Sequence, residues 1–160
     1  MHHTVGRPYL YLLVFTSGFV TLGVELSASR LLDPWFGNSL VVWASLIGMI
    51  LLYLAVGYWL GGRISDRSPY PLTMLRMAAL GAAGIGVVPT LARPVLRIAS
   101  DGLADFDAAL LAGSMAGILV LFAVPVTLLA CVNPFAIRLT MGQVEGSGRV
   151  AGRVYALSPS

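Results

Sequence analysis

The chain has 160 residues, 58% of them hydrophobic and 11% charged, with a formal net charge of +3. About a quarter of the residues in a soluble domain are charged, so this composition lacks what a water-exposed surface requires. The 18 Gly follow no three-residue period, apolar content is high and Cys131 is the single cysteine, which excludes collagen-like, disordered and disulfide-stapled chains as well. An all-α, polytopic membrane protein remains, with the lipid bilayer as its surroundings.

Four apolar stretches reach the roughly 20 residues needed to cross about 30 Å of hydrocarbon at 1.5 Å per residue. In chain order they are Tyr9 to Ser29, Ser39 to Gly61, Leu72 to Leu91, and Ala108 to Asn133. The first is too long for a signal-peptide core and lacks an A-x-A-like cleavage site, so it reads as a retained helix. Arg30 to Asn38 is expected to be a hairpin loop, because Asp33-Pro34 and Gly37-Asn38 are turn formers. The second stretch is expected to stop at Gly61-Gly62, with a loop running to Pro71. Between Ala92 and Asp107, Leu96, Ala99, Leu103 and Phe106 recur at helical spacing while Arg97, Asp101 and Asp105 fall on other faces. That pattern predicts a short interfacial helix between the third and fourth spans. Residues 1–141 therefore read as a four-helix transmembrane domain and 142–160 as a cytoplasmic linker with an apolar tail. The tail, Val150 to Leu157, needs a surface to lie on, either the membrane interface or a neighbouring subunit.

All ten basic residues are Arg, and their distribution is an orientation signal. Arg7, Arg63, Arg67, Arg76, Arg138, Arg149 and Arg153 fall on one side of the predicted topology, and Arg30, Arg93 and Arg97 on the other. The majority side is predicted to be cytoplasmic and to hold both termini. No basic cluster interleaved with aromatics is present to follow a phosphate backbone, so no nucleic-acid partner is expected. His2 and His3 are the only histidines, and no nucleophile and base pair at catalytic spacing, so no metal, cofactor or catalytic activity is expected.

Small residues recur at four-residue spacing in three spans: Gly57 and Gly61, Ala78 with Ala82 and Gly86, and Gly113 and Gly117. Such tracks allow close helix packing in lipid, and more of them are present than a minimal bundle is expected to use, which predicts self-association or other membrane subunits as partners. Glu25 is the acidic residue placed well inside a span, four residues from the predicted end of its helix. Ser17, Thr21, Glu25 and Ser29 follow at intervals of four and form a polar stripe. One reading makes Glu25 a cation or proton site with Ser17, Thr21 and Arg30 around it. The other has it pairing with Arg30 or with polar groups on a neighbouring helix. Pro125, Asn133 and Pro134 mark an irregular end to the fourth span.

The stretch from Glu25-Leu-Ser-Ala-Ser-Arg30 through Trp43 to Gly57-Tyr-Trp-Leu-Gly61-Gly62-Arg63-Ile-Ser-Asp66-Arg67 resembles the membrane domain of bacterial spermidine-synthase-like integral membrane proteins. Asn133-Pro-Phe-Ala-Ile-Arg138-Leu and Gly148 to Ser158 resemble the segment that follows in the same proteins. Gly62 to Arg67 is also similar to the first half of the loop motif joining the second and third helices in the major facilitator superfamily, the second half being replaced by Ser68-Pro69-Tyr70-Pro71. The resemblance implies a membrane fold related to half of a facilitator-type transporter, set in the bacterial inner membrane, with Glu25, Arg30, Gly61, Gly62, Asp66 and Arg67 as residues of weight. Family members continue past this region with further helices and an aminopropyltransferase-like domain, whereas this sequence stops at Ser158-Pro159-Ser160, so polyamine synthesis is not carried over. Two functions stay open: a non-catalytic accessory subunit of a larger membrane complex, or a transporter-like module for a small cationic solute acting as an oligomer.

Overall fold

A computed structural model describes residues 7–101, 109–141, 152 and 154–156. Among these residues the helices α1 (Arg7–Phe36), α2 (Leu40–Arg67), α3 (Pro71–Asp101), α4 (Ala109–Ala130) and α5 (Val132–Met141) follow in order. Segments Pro8–Phe36, Leu40–Arg67, Pro71–Asp101 and Leu111–Thr140, of 28 to 31 residues each, are long and apolar enough to cross a membrane. The chain is therefore an all-α, multi-pass membrane protein. At 1.5 Å per residue these segments measure about 42 to 46 Å, so their ends pass beyond roughly 30 Å of hydrocarbon into the headgroup layers.

The helices run further than the turn signals predict. α1 continues through Asp33-Pro34 to Phe36 instead of ending at Ser29. Proline removes one helical donor, to the carbonyl four residues back, but Val24, Ala28, Leu32 and Phe36 lie four residues apart and are all buried in the core, so burial holds the last turns helical. The turn is then made by Gly37, whose φ of 70° lies in the left-handed region open to glycine, and Ser39 caps α2 by accepting from the Val42 N–H at 3.3 Å. α2 likewise passes through Gly61-Gly62 and ends at Arg67, leaving residues 68–70 as the link to α3.

The separate interfacial helix is not found among the described residues. Residues 92–101 continue α3 across Pro89 and Pro94, and Leu96 and Ala99 are buried in the main core instead of lying in an interface. Leu103, Phe106 and Asp105 lie outside the described residues. The irregular end predicted for the fourth span is present: the helix breaks at Cys131 and resumes as α5. Pro134 lacks the N–H that would reach the Ala130 carbonyl, and its ring crowds that carbonyl, which places the break one residue after Ala130.

The topology alternates up and down. A main core contains Val24, Leu32, Leu46, Ile50, Leu96, Ile118 and Val126. A second cluster at the other end gathers Leu10 and Val14 from α1, Met74 from α3, and Val132, Phe135 and Ala136 from α5, together with Val154 of the tail. Val154 is 1% exposed, so at this point the tail lies on the chain's own helices, not on a neighbour. Arg63, Arg67, Arg76 and Arg138 fall at this second end, where α1 also begins with Arg7, and Arg30, Arg93 and Arg97 fall at the opposite end.

Candidate functional site

The polar stripe on α1 is satisfied within its own helix for most of its length. The Ser17 hydroxyl donates to the Val14 carbonyl at 2.9 Å, Thr21 to the Ser17 carbonyl at 2.9 Å, and Ser29 to the Leu26 carbonyl at 2.9 Å. Ser17 and Thr21 are buried at 7% and 5% exposure. Glu25 is half-buried and makes no hydrogen bond or ion pair with any described residue. The expected pairing with Arg30 is absent, because five residues turn the helix by about 140° and carry the two side chains to different flanks. The longer α1 also moves Glu25 inward: it lies 11 residues, about 16 Å, from Phe36 and not one turn below the end of its span.

The glycine tracks split into two kinds. A Cβ on Gly57 would meet the Ala130 Cβ and the Thr127 carbonyl, and one on Gly61 would meet the Cys131 Cα at 2.7 Å, the Pro134 Cγ at 2.7 Å and the Cys131 carbonyl at 2.8 Å. A Cβ on Gly113 would meet the Phe36 ring at 2.6 Å and the Ala99 carbonyl at 3.1 Å, and one on Gly117 would meet the tip of Leu96 at 2.7 Å. All four therefore seat helices of the same chain, and they are not free faces for a partner as the sequence pattern suggested. On α3 the packing glycines are Gly81 and Gly84, against Leu129 and Pro125; Gly86 of the predicted track has nothing within 4 Å and Ala82 is exposed.

The helix-loop motif turns out to lie on α2 itself. Gly61 packs at the α4–α5 break, Gly62 has open space beside it, and the Asp66 carboxylate receives the Arg138 Nε at 3.5 Å, which ties the end of α2 to α5. Arg67 is exposed at the helix end, and the Arg63 guanidinium lies 5.2 Å from the centre of the Trp59 ring.

An opening that the sequence did not indicate is a cleft between α1 and α3. Its apolar part, about 400 Å³, is walled by Val20, Gly23 and Ala28 of α1 and by Ile85 and Val88 of α3, and floored by Phe122 of α4. Leu31 and Pro89 line this part and also a wider mouth of about 710 Å³, where Arg30, Arg93 and Arg97 converge with Pro34, Trp35 and Pro94. Arg97 pairs with Asp101 at 3.7 Å in an exposed i, i+4 bridge; Arg30 and Arg93 have no carboxylate partner among the described residues. The sequence signal for this mouth was the minority set of arginines, visible as the losing side of the charge count. Glu25 does not line the cleft; it lies about 140° around α1 from Val20.

In comparisons with known proteins, no protein-family model, no curated protein and no solved structure matches the chain.

Proposed function

We propose that the protein is a non-catalytic integral membrane subunit that assembles with other membrane chains, with both termini on the cytoplasmic face of a bacterial inner membrane. The observation that supports this most is Glu25. A charged side chain at the centre of a span costs about 2.5 to 3.5 kcal/mol on insertion scales, and Glu25 has no partner within its own described chain to offset it. A donor from a neighbouring chain would remove that cost. The packing glycines of α2, α3 and α4 are already engaged internally, so the subunit would dock through the flank of α1 that carries Glu25.

The transporter reading for a cationic solute is less well supported, because the open cleft ends in three arginines, which favour an anion, and Glu25 is not on its walls. The resemblance to the membrane domain of spermidine-synthase-like proteins supports a facilitator-type helix arrangement and adds no activity.

The test is the mass of the particle after gentle detergent extraction, with its component chains identified, for the native protein and for Glu25→Gln and Glu25→Leu. A particle larger than the lone 16.9 kDa chain is expected, weakened by Leu and kept in part by Gln. A lone monomer unaffected by either change removes the subunit reading. Orientation is tested by cysteine labelling at Ser68, expected to react from the cytoplasm, and at Ser100, expected to react from the opposite side.

A further inference from the structure

We propose that the α1–α3 cleft is a binding site for one anionic phospholipid, its phosphate held by Arg30, Arg93 and Arg97 and one acyl chain laid in the apolar slot over Phe122. Continuity is the first ground: Leu31 and Pro89 belong to both the slot and the mouth, so one molecule can occupy both. The volume of the slot, about 400 Å³, falls in the range of small-molecule sites, roughly 300 to 1,000 Å³. Three features of the sequence keep it open. Gly23 presents no side chain and has nothing within 4 Å of its Cβ position, while Pro89 and Pro94 each remove a helical donor where α3 passes the mouth.

Charge sets the occupant. Three guanidiniums converge on the mouth, and among the described residues the one carboxylate paired there, Asp101, serves Arg97 alone, in a bridge with both side chains more than two-thirds exposed at 75% and 72%. Arginine forks match phosphate oxygens in pairs, so an anion with several acceptor oxygens fits at Arg30 and Arg93, which no carboxylate among the described residues pairs.

Depth separates a lipid from a soluble anion. Arg97, Arg30 and Arg93 lie four, six and eight residues before the ends of their helices, which is about 6, 9 and 12 Å along the axis. Helix segments about 45 Å long overrun a 30 Å hydrocarbon layer by about 7 Å at each end, so these side chains start near the hydrocarbon boundary and extend outward to the level of lipid phosphates. An amphiphile already occupies that level, with its chains beside the slot.

The test uses the full chain in nanodiscs of mixed phosphatidylglycerol and phosphatidylcholine with identical acyl chains, with bound lipid read by native mass spectrometry. One retained phosphatidylglycerol per chain is expected in preference to phosphatidylcholine. Near an anionic surface each arginine contributes enough that the Arg30→Gln, Arg93→Gln double variant should lose about thirtyfold in that preference. Arg67→Gln, at the other end of the molecule, should lose none. Gly23→Leu, which fills the slot and leaves the arginines in place, should release the lipid while helix content stays native. Equal retention of the two lipids overturns the proposal, as does an unchanged preference in the double variant, an equal loss in Arg67→Gln, or a lipid that survives Gly23→Leu. Displacement of the lipid by inorganic phosphate also overturns it, by assigning the mouth to a free anion.

Discussion

The seam where α2 meets the α4–α5 break and the cleft where α1 faces α3 are both lined by glycine and proline, and they end as opposites. At the seam, the missing side chains of Gly57 and Gly61 let α2 come down onto the backbone of Thr127 and Cys131, and Pro134 supplies both the break in the helix and part of the surface Gly61 touches. At the cleft, Gly23 meets nothing and Pro89 rims an opening. What differs is the partner: α4 is packed by α2 and α3 along most of its length, whereas α1 touches each of its neighbours lightly. A small residue thus closes a contact only where another element is driven against it.

The sharpest way to break this comparison is Gly61→Leu. The atoms in its path are the Cys131 backbone and the closed ring of Pro134, neither of which can swing aside, so a loss of about 3 kcal/mol or more is expected in reversible unfolding from detergent, with failure to fold as the extreme. If Gly61→Leu is no worse than Gly23→Leu, the two regions are not distinct.

Gly117→Ala is expected to cost less, about 1 kcal/mol, in the same measurement. Its Cβ would crowd the Cδ2 of Leu96, the end of a side chain that can change rotamer, and meet the Phe36 ring only at an ordinary 3.9 Å, so Gly61→Ala should exceed it.

The sign should reverse where the space is open. Gly48→Ala and Gly86→Ala, both with nothing within 4 Å, are expected to stabilise by about 0.4 to 1 kcal/mol, because alanine loses less backbone freedom on entering a helix. A destabilisation at both positions would mean that those faces are covered in the extracted particle.

The smallest effect belongs to the ionic link across the seam. Asp66 and Arg138 are 72% and 50% exposed, so a double-mutant cycle of Asp66→Asn and Arg138→Gln should give a coupling of about 0.2 to 1 kcal/mol that shrinks with added salt. A coupling well above that range, insensitive to salt, would show that the motif on α2 is more than a tether.

Much of the site could not be read in advance for reasons visible in single residues. Glu25 was legible as a carboxylate inside a span, one turn from its predicted end, but its deeper place near the middle of α1 needed the helix to run on past Ser29. Arg30, Arg93 and Arg97 were legible as a charge minority and not as a cluster, because they come from α1 and α3 and meet only across the cleft. The small-residue spacing was legible on α2 and α4 and pointed to the wrong face of α3, where Gly81 and Gly84 pack and Ala82 and Gly86 do not.

By itself the sequence determined the membrane class, the number of spans and the segregation of arginines to two ends, because these depend on transfer of residues from water to hydrocarbon, a property each segment carries alone. Where the helices stop, which glycines are covered and where the chain stays open were decided by tertiary packing. Pro34 sits inside α1 because Leu32 and Phe36 are buried around it, whereas the break at Cys131 follows from Pro134 locally, and only its cover by Gly61 of α2 was decided by packing. Inside a bilayer every apolar face is at ease in lipid, so the hydrophobic pattern that marks a span cannot choose its neighbour, and the fit of backbone against backbone makes that choice.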